Sequence, residues 1–150
     1  AAAPNQNELV SFVNNLFTNF DCGTDYHKVY KLEAVESSYL CSAGAPESDE
    51  KWGRHTDRMV EMAITIMAIA NGSILPFLGN PGKDSTCHQE ARTEMKIGIH
   101  SGPVVAGVAG KKAPSYHCFG DTMNTASRMG STSTNGRIQL SQSAFDSLSE

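Results

Sequence analysis

The sequence lacks the long apolar run that a membrane-spanning helix requires, which is roughly 18 or more consecutive residues. Its longest apolar stretch, residues 62–70, is interrupted by Thr65 and followed by Asn71-Gly72. We also expect no signal peptide ahead of the first helix. Positive charge is scarce, because 12 lysines and arginines face 16 acidic residues and the net charge is −4. We therefore expect no nucleic-acid partner, and a membrane connection only through parts outside this chain.

Cysteine motifs are absent too. The four cysteines are irregularly spaced and form no Cys-x-x-Cys pair, so neither a zinc site nor a redox pair is indicated. We expect free thiols in a reducing compartment, namely the cytoplasm. His88 stands beside one cysteine, but no further ligands follow at a spacing that suits a metal. The cysteines are Cys22, Cys41, Cys87 and Cys118.

The common phosphate-binding loops are missing as well. In the glycine-rich stretch 98–112, a Walker loop would need a glycine five residues before Gly110, but Val105 stands there. Gly110-Lys111 is then followed by Lys112 in place of serine or threonine, and no Gly-x-Gly-x-x-Gly occurs. We expect these glycines to serve tight bends and close strand approaches.

What the sequence does contain is a series of helical and strand patterns, read from the spacing of apolar residues and from turn signals. The order of these elements predicts an α+β sandwich, in which antiparallel-rich strands carry helices packed on them. The predicted elements are a helix at 4–21 that ends at residues 22–25, hairpin strands at 27–34 and 39–41 around a turn near 36–38, a loop at 44–51, a helix at 54–71, a long loop at 73–92, strands within 95–110 that bend at Gly102-Pro103, a strand at 115–119, a helix at 121–131 with Asp121 as its N-cap, a strand at 137–140, and a helix at 141–148 capped by Ser141.

The predicted helix at 121–131 carries an unusual pair of side chains. Asn124 and Arg128 lie four residues apart, so they share one helix face, and only small residues stand between them. An arginine offers a planar fork of donors that matches phosphate oxygens, and an asparagine can orient a hydroxyl group. An arginine on a surface helix is the alternative, but the small neighbours favour a helix that approaches a phosphorylated ligand.

Three other polar residues lie on predicted strands and need an interpretation. Glu33 lies near the end of a predicted strand, where its carboxylate could accept hydrogen bonds from the N1–H and amino group of guanine. A solvated strand glutamate is the alternative. Taken alone, His117 is a surface or hydrogen-bonded histidine, and we expect His100 to be structural.

Taken together, four blocks of sequence resemble the catalytic domain of class III nucleotidyl cyclases, and the guanylate cyclases most closely. The resemblance covers essentially the whole chain apart from residues 73–92, and it implies a ferredoxin-like α+β sandwich. The blocks are LVSFVNNLFTNFD for the first long helix, HKVYKLEAVESSYLCSAGAP for the hairpin, KIGIHSGPVVAGVAGKKAPSYHCFGDTMNTASRM for the core, and RIQLS for the strand that follows.

The resemblance implies a reaction in which the 3′-hydroxyl of a nucleoside triphosphate attacks the α-phosphorus and pyrophosphate leaves. In that family two aspartates hold two Mg²⁺ or Mn²⁺ ions. The residues that orient the ribose and stabilise the α-phosphoryl group fall on Asn124 and Arg128. Glu33 matches the guanine-reading glutamate, and His117 falls where guanylate cyclases typically carry cysteine and adenylate cyclases aspartate. An imidazole can still donate to guanine O6, so we expect GTP and cyclic GMP, with adenylate cyclase as an alternative.

The chain departs from the family at its metal ligands. Ser37 occupies the position of a metal-binding aspartate at the hairpin tip, and a serine is a poor ligand for a hard cation. The resemblance places the other metal aspartate before Ala1 and a phosphate-binding lysine after Glu150. We therefore expect residues 1–150 to be an incomplete catalytic domain that contributes no metal ligand.

Family cyclases work as head-to-tail dimers with the active site at the interface. The resemblance therefore implies that this chain supplies the base-reading and transition-state residues, while a partner protomer supplies the ligands for Mg²⁺ or Mn²⁺. A heterodimer suits this division better than a homodimer. The alternative is a catalytically deficient cyclase domain that acts as a dimerisation or regulatory module.

Overall fold

The structure, a computed structural model, describes residues 6–46, 50–72 and 93–149. The predicted loop at 73–92, with Cys87 and His88, lies outside the described residues. The elements within this part of the chain are α1 (Gln6–His27), β1 (Tyr30–Val35), β2 (Ser38–Ser42), a short 3₁₀ helix (Glu50–Trp52), α2 (His55–Ala70), β3 (Lys96–Ile99), β4 (Val105–Ala109), β5 (Ser115–Phe119), α3 (Asp121–Thr132), β6 (Arg137–Leu140) and α4 (Gln142–Asp146).

Helix α1 continues beyond the predicted stop at residues 22–25, and the predicted strand start at residue 27 is therefore wrong. Gly23 is buried against α2, where an added Cβ would lie 3.1 Å from the Sδ atom of Met62. His27, in the last turn, places its Nε2 2.7 Å from the hydroxyl of Thr65. Packing on α2 thus outweighs a local signal that is typical of helix ends.

The predicted hairpin forms, with a two-residue turn at Glu36-Ser37 between β1 and β2. Glu36 adopts a φ of 53°, a left-handed conformation that side-chain-bearing residues adopt only at some cost. Glu36 thus takes the conformation that glycine, asparagine or aspartate usually supplies, and the turn reverses the chain without any of them. The hairpin prediction is confirmed, with β1 beginning at Tyr30.

Within the described ranges, the strands form three pairs. The pairs β1–β2 and β4–β5 are antiparallel, and β3–β6 is parallel, so the antiparallel-rich α+β prediction is confirmed. Helix α2 covers two groups of buried side chains. One joins α1 and α2 to the hairpin and β3, and the other joins α2 to β3, β6 and α4. The buried members are Phe20, Val29, Met62, Ile66 and Ile69 in the first group and Ala63, Ile99 and Ala144 in the second.

The two predicted helix caps have different outcomes. Ser141 caps α4, because its Oγ accepts a hydrogen bond of 3.2 Å from the backbone N–H of Ala144. The Asp121 prediction is wrong: the N-cap of α3 is Gly120, at a φ of 124°, and Asp121 is the first helical residue. A carboxylate in the first turn still complements the helix dipole there.

His100 is structural, as predicted. Its Nδ1 lies 2.7 Å from the hydroxyl of Ser141 and 3.2 Å from that of Ser143, so it ties the end of β3 to the start of α4. No helix among the described residues has both the length and the apolar character that crossing a bilayer demands.

Candidate active site

Helix α3 is held against β3 by two glycines. A Cβ added to Gly98 would lie 2.0 Å from the backbone N of Gly130 and 2.4 Å from the carbonyl carbon of Met129. Both contacts are with backbone, which cannot move aside as a flexible side chain can. The close approach of α3 to the sheet therefore requires glycine at position 98.

Hydrogen bonds fix the two ends of α3. At its start, Thr122 donates through its hydroxyl to the carbonyl of Pro103, at 2.6 Å, in the bend between β3 and β4. At its end, the side-chain amide of Gln139 on β6 donates to the hydroxyl of Thr132 at 3.1 Å. With the glycine contact, these bonds make α3 a fixed support for the side chains on its outer face.

Asn124 and Arg128 lie on that outer face, and both are exposed. Asp121 and Ser131 share the same solvent-facing side, whereas Met123 and Ala126 are half-buried. Among the described residues, no side chain forms a hydrogen bond or ion pair with the Asn124 amide or the Arg128 guanidinium. The two predicted groups are thus aligned on a rigid helix and available to a ligand or to a second protein surface.

A β-bulge in β1 sets the direction of Glu33. Tyr30 pairs with Ser42 and Lys31 with Cys41, but Glu33 pairs with Leu40, so Leu32 is an extra residue. Residues opposite one another in a sheet point to the same face, and β2 alternates regularly. Glu33 therefore shares the face of Tyr30 rather than that of Lys31.

The other face of the hairpin is occupied by contacts to α1. There Lys31 forms an ion pair with Asp21, with Nζ 2.9 Å from Oδ1, and Tyr39 donates its hydroxyl proton to the same oxygen at 2.7 Å. Without the bulge, Glu33 would face this side of the hairpin. The extra residue instead turns Glu33 away from α1, where it is exposed.

Strands β1 and β5 meet through two tyrosine rings. The ring centroids of Tyr30 and Tyr116 are 5.5 Å apart at an interplanar angle of 76°, an edge-to-face contact. This contact brings together the strand that carries Glu33 and the strand that carries His117. The two residues are 84 positions apart in the sequence.

His117 is half-buried in β5, with its ring held by neighbours on the strand. Its Nε2 lies 2.6 Å from the hydroxyl of Ser115, and its ring centroid is 6.1 Å from that of Phe119. Gly107 pairs with it across the β4–β5 ladder, and the space where a Cβ of Gly107 would lie is open. The importance of Ser115 did not emerge from the sequence, although two-residue spacing on a strand places it on the face of His117.

Ser37 lies exposed at the hairpin tip, next to Glu36. Among the described residues, no group of three or more histidine, cysteine, aspartate or glutamate side chains is placed to hold a metal ion. A neutral hydroxyl and one neighbouring carboxylate do not match the oxygen-rich, charged shell that Mg²⁺ or Mn²⁺ requires. The residues present at the tip therefore do not fit a divalent-metal site.

A cavity of about 420 Å³ lies between α1 and the hairpin, lined by Asp21, Lys31 and Glu36 among others. A second, of about 260 Å³, lies near Trp52 and Arg58. Neither is lined by Asn124, Arg128, Glu33 or His117. Asn124, Arg128 and Glu33 thus occupy exposed surface on α3 and β1, while His117 is half-buried on β5.

Known proteins are similar to this chain in sequence and in fold. The chain is 38% identical over 142 residues to guanylate cyclase D of Mus musculus, matching 94% of this chain but spanning only 12% of that protein. The guanylate cyclase domain of RhGC from Catenaria anguillulae, solved in complex with GTP, aligns with a TM-score of 0.78 at 33% identity. That alignment covers 95% of this chain and 70% of the other.

A second solved structure is the non-canonical dimeric guanylyl cyclase domain of the RhoGC fusion protein from Blastocladiella emersonii. It aligns with a TM-score of 0.78 at 30% identity, over 96% of this chain and 72% of the other. These comparisons confirm the resemblance to guanylate cyclases. The family model for the adenylate and guanylate cyclase catalytic domain matches residues 1–150, and the chain therefore belongs to that family.

Proposed function

We propose that this chain is the part of a guanylate cyclase that reads the base and stabilises the transition state, acting with a partner protomer to convert GTP to cyclic GMP and pyrophosphate. One observation carries the proposal: Asn124 and Arg128 share the exposed face of a helix that Gly98 holds rigidly against the sheet. The GTP complex of the RhGC domain supports GTP as the substrate class.

Each residue has a defined task in this proposal. The 3′-hydroxyl of the ribose loses its proton to solvent, and its oxygen forms a bond to the α-phosphorus while the bond to the pyrophosphate oxygen breaks. Negative charge develops on the α-phosphoryl group. Arg128 stabilises that charge with donors fixed in advance by α3. Asn124 orients the ribose, Glu33 accepts hydrogen bonds from the N1–H and amino group of guanine, and His117 contacts O6.

The exposed apolar surface of β4 and β5 supports a dimer. Val105 is 73% exposed, and Phe119, which pairs with Val105 and therefore shares its face, is 53% exposed. Val108, 71% exposed, lies on the opposite face of the strand pair with Tyr116. Exposed apolar side chains that adjoin on one face are costly to leave in water and mark interaction sites. The surface of Val105 and Phe119 adjoins Ser115 and His117, so a protomer docked there would also enclose the candidate site.

Divalent metal belongs to the chemistry of class III cyclases, where it neutralises the triphosphate. Because the residues around Ser37 do not fit such a site, we assign the metal ligands to the partner protomer and no step to metal bound by this chain. A heterodimer follows from this assignment, and a homodimer is expected to have little or no activity. The free thiols of Cys22, Cys41 and Cys118 support a cytoplasmic location.

The second candidate is a cyclase domain that dimerises and performs no chemistry. The exposed hydroxyl of Ser37, where a metal carboxylate would stand, favours it. Binding of GTP measured with and without Mn²⁺ separates the two proposals. Binding that is independent of Mn²⁺, with no turnover in any pairing, would favour the regulatory module. A preference for ATP over GTP would instead favour an adenylate cyclase.

The decisive experiment mixes this chain with a second cyclase domain that carries both metal aspartates and measures cyclic GMP formation. Activity is expected in the mixture and not in this chain alone. Arg128→Ala should lower the turnover of the mixture by roughly 10²–10³-fold, the effect of removing one donor to a developing anion.

Arg137→Ala is the matched control, because Arg137 is also exposed but lies at the start of β6. It should leave turnover unchanged. Cyclic GMP output that is the same with and without Arg128 would remove this residue from the mechanism.

A further inference from the structure

Three alternate residues of β5 form one surface around the imidazole of His117. Ser115, His117 and Phe119 point to the same face of the strand, because side chains alternate with a period of two. The Ser115 hydroxyl lies 2.6 Å from Nε2, and Phe119 flanks the ring. Among the described residues, nothing forms a hydrogen bond with Nδ1, so this nitrogen remains for a ligand.

The Ser115 hydroxyl can be either partner in its hydrogen bond. If Oγ–H donates to Nε2, a neutral imidazole carries its proton on Nδ1 and presents a donor there. If Nε2–H donates to Oγ, Nδ1 presents a lone pair and accepts. Rotation of one hydroxyl and relocation of one ring proton through solvent therefore change the character of Nδ1 without moving the ring.

These two states match the two purines found in nucleoside triphosphates. Guanine presents the O6 acceptor at its 6-position, whereas adenine presents the N6 amino donor. A cysteine or an aspartate at position 117 would have no comparable choice, because an ionised carboxylate only accepts and a thiol is a weak donor. The pair of Ser115 and His117 can satisfy either base.

We propose that Ser115 is a positioning residue that lets His117 present a donor to guanine and an acceptor to adenine, so that His117 tolerates both purines. The discrimination between them then falls on Glu33, whose carboxylate can pair with the N1–H and amino group of guanine but finds no such donors on adenine. This inference rests on the proposed function, because it assumes that Glu33 and His117 contact the base.

The test is nitrogen NMR of the chain labelled with ¹⁵N-histidine at about pH 8.5, where imidazoles are generally neutral. The labelled chain is paired with an unlabelled cyclase domain that carries both metal aspartates, and it is studied without nucleotide, with excess GTP and with excess ATP. His117→Gln identifies the relevant signal. GTP should shift His117 to the tautomer protonated on Nδ1, and ATP to the tautomer protonated on Nε2. Before nucleotide is added, Ser115→Ala should already move the Nε2 resonance.

Affinity measurements complete the test. Ser115→Ala should weaken binding of GTP and of ATP by a similar factor, roughly two- to tenfold, the range of one neutral hydrogen bond. Ser115→Thr keeps the hydroxyl and suits a strand, so it should restore both the Nε2 resonance and the affinities. A variant with a merely structural defect would not recover the tautomer response in this way.

Each outcome is decisive. The same His117 tautomer with both nucleotides, or nitrogen signals unaffected by Ser115→Ala, would overturn this inference while leaving the proposed function intact. Failure of both nucleotides to bind, with the Ser115 effect on Nε2 still present, would instead overturn the proposed function and base reading with it.

Discussion

Gly98 of β3 and Gly130 of α3 meet backbone to backbone, with no room for a methyl group between them. Gly98→Ala should therefore push α3 away from the sheet and lower the free energy of unfolding by about 1–3 kcal/mol, as overpacking usually does. Chemical denaturation measures this change. Under the proposed function, and with a partner protomer present, the displacement of Asn124 and Arg128 should reduce turnover more than affinity for GTP.

Gly107→Ala is the stability control for that prediction, because an added Cβ there meets no atom within 4 Å. It should unfold at nearly the same denaturant concentration as the parent chain. Equal stability of the Gly98 and Gly107 variants would show that α3 can shift at no cost.

Glu33→Gln should reduce GTP binding, because the amide replaces one of two charged acceptors with a donor. Hydrogen bonds to charged groups contribute about 1.5–3 kcal/mol, so the loss should be roughly ten- to a hundredfold. ATP binding should change little. Titration calorimetry with both nucleotides measures the ratio. Glu36→Gln, the same change at the exposed turn, is the control. Parallel losses for GTP and ATP would contradict guanine reading by Glu33.

Val105→Lys should weaken self-association or pairing with a cyclase partner, because it places a charge in the apolar surface of β4. Sedimentation velocity at several protein concentrations measures the effect. Val10→Lys is the control, because Val10 is 60% exposed on α1, away from that surface. If both variants associate like the parent chain, β4 does not form the dimer contact.

Cys41 should react slowly with alkylating reagents in the native chain. Burial raises the pKa of its thiol to about 12, so at pH 8 only about one molecule in ten thousand carries the reactive thiolate. Mass spectrometry after brief exposure to iodoacetamide should find Cys41 unmodified, and urea should make it reactive. Rapid native labelling would mean that β2 opens readily.

The end of the described chain should loosen in acid. Ser149 donates its backbone N–H and its hydroxyl to Asp57, at 3.0 and 2.6 Å, and these bonds lower the pKa of that carboxyl. A lowered pKa means that the contact contributes fully above the unfolded value of about 3.9 and is lost as the pH falls through the folded value. The amide shift of Ser149 should titrate in that range, and Asp57→Asn should abolish the titration.

The sequence predicted those elements whose signals are local. Helix α2 and strand β5 follow from spacing alone, and Gly102-Pro103 marked the bend between β3 and β4. The end of α1 was predicted wrongly, because Gly23 looks like a helix stop and is in fact a packing position against Met62. A glycine can end a helix or allow close packing within one, and only the tertiary contact decides which.

The candidate site was likewise predictable only in part. The spacing of Asn124 and Arg128 was enough to place them on one helix face, and the structure keeps them there. The face to which Glu33 points was not predictable, because it depends on the extra residue Leu32. The stretch Tyr-Lys-Leu-Glu contains no local sequence signal that indicates a bulge. Under the proposed function, contact of Asn124 and Arg128 with a nucleotide depends on a second protomer, which no pattern within one chain describes.

The edge-to-face contact of Tyr30 and Tyr116 joins β1, which bears Glu33, to β5, which bears His117. Consecutive side chains of a strand point to opposite faces, so Tyr116 holds the two strands together without covering the face of His117. Under the proposed function, the separation of the two base-contacting residues therefore depends on two rings that need never contact the nucleotide.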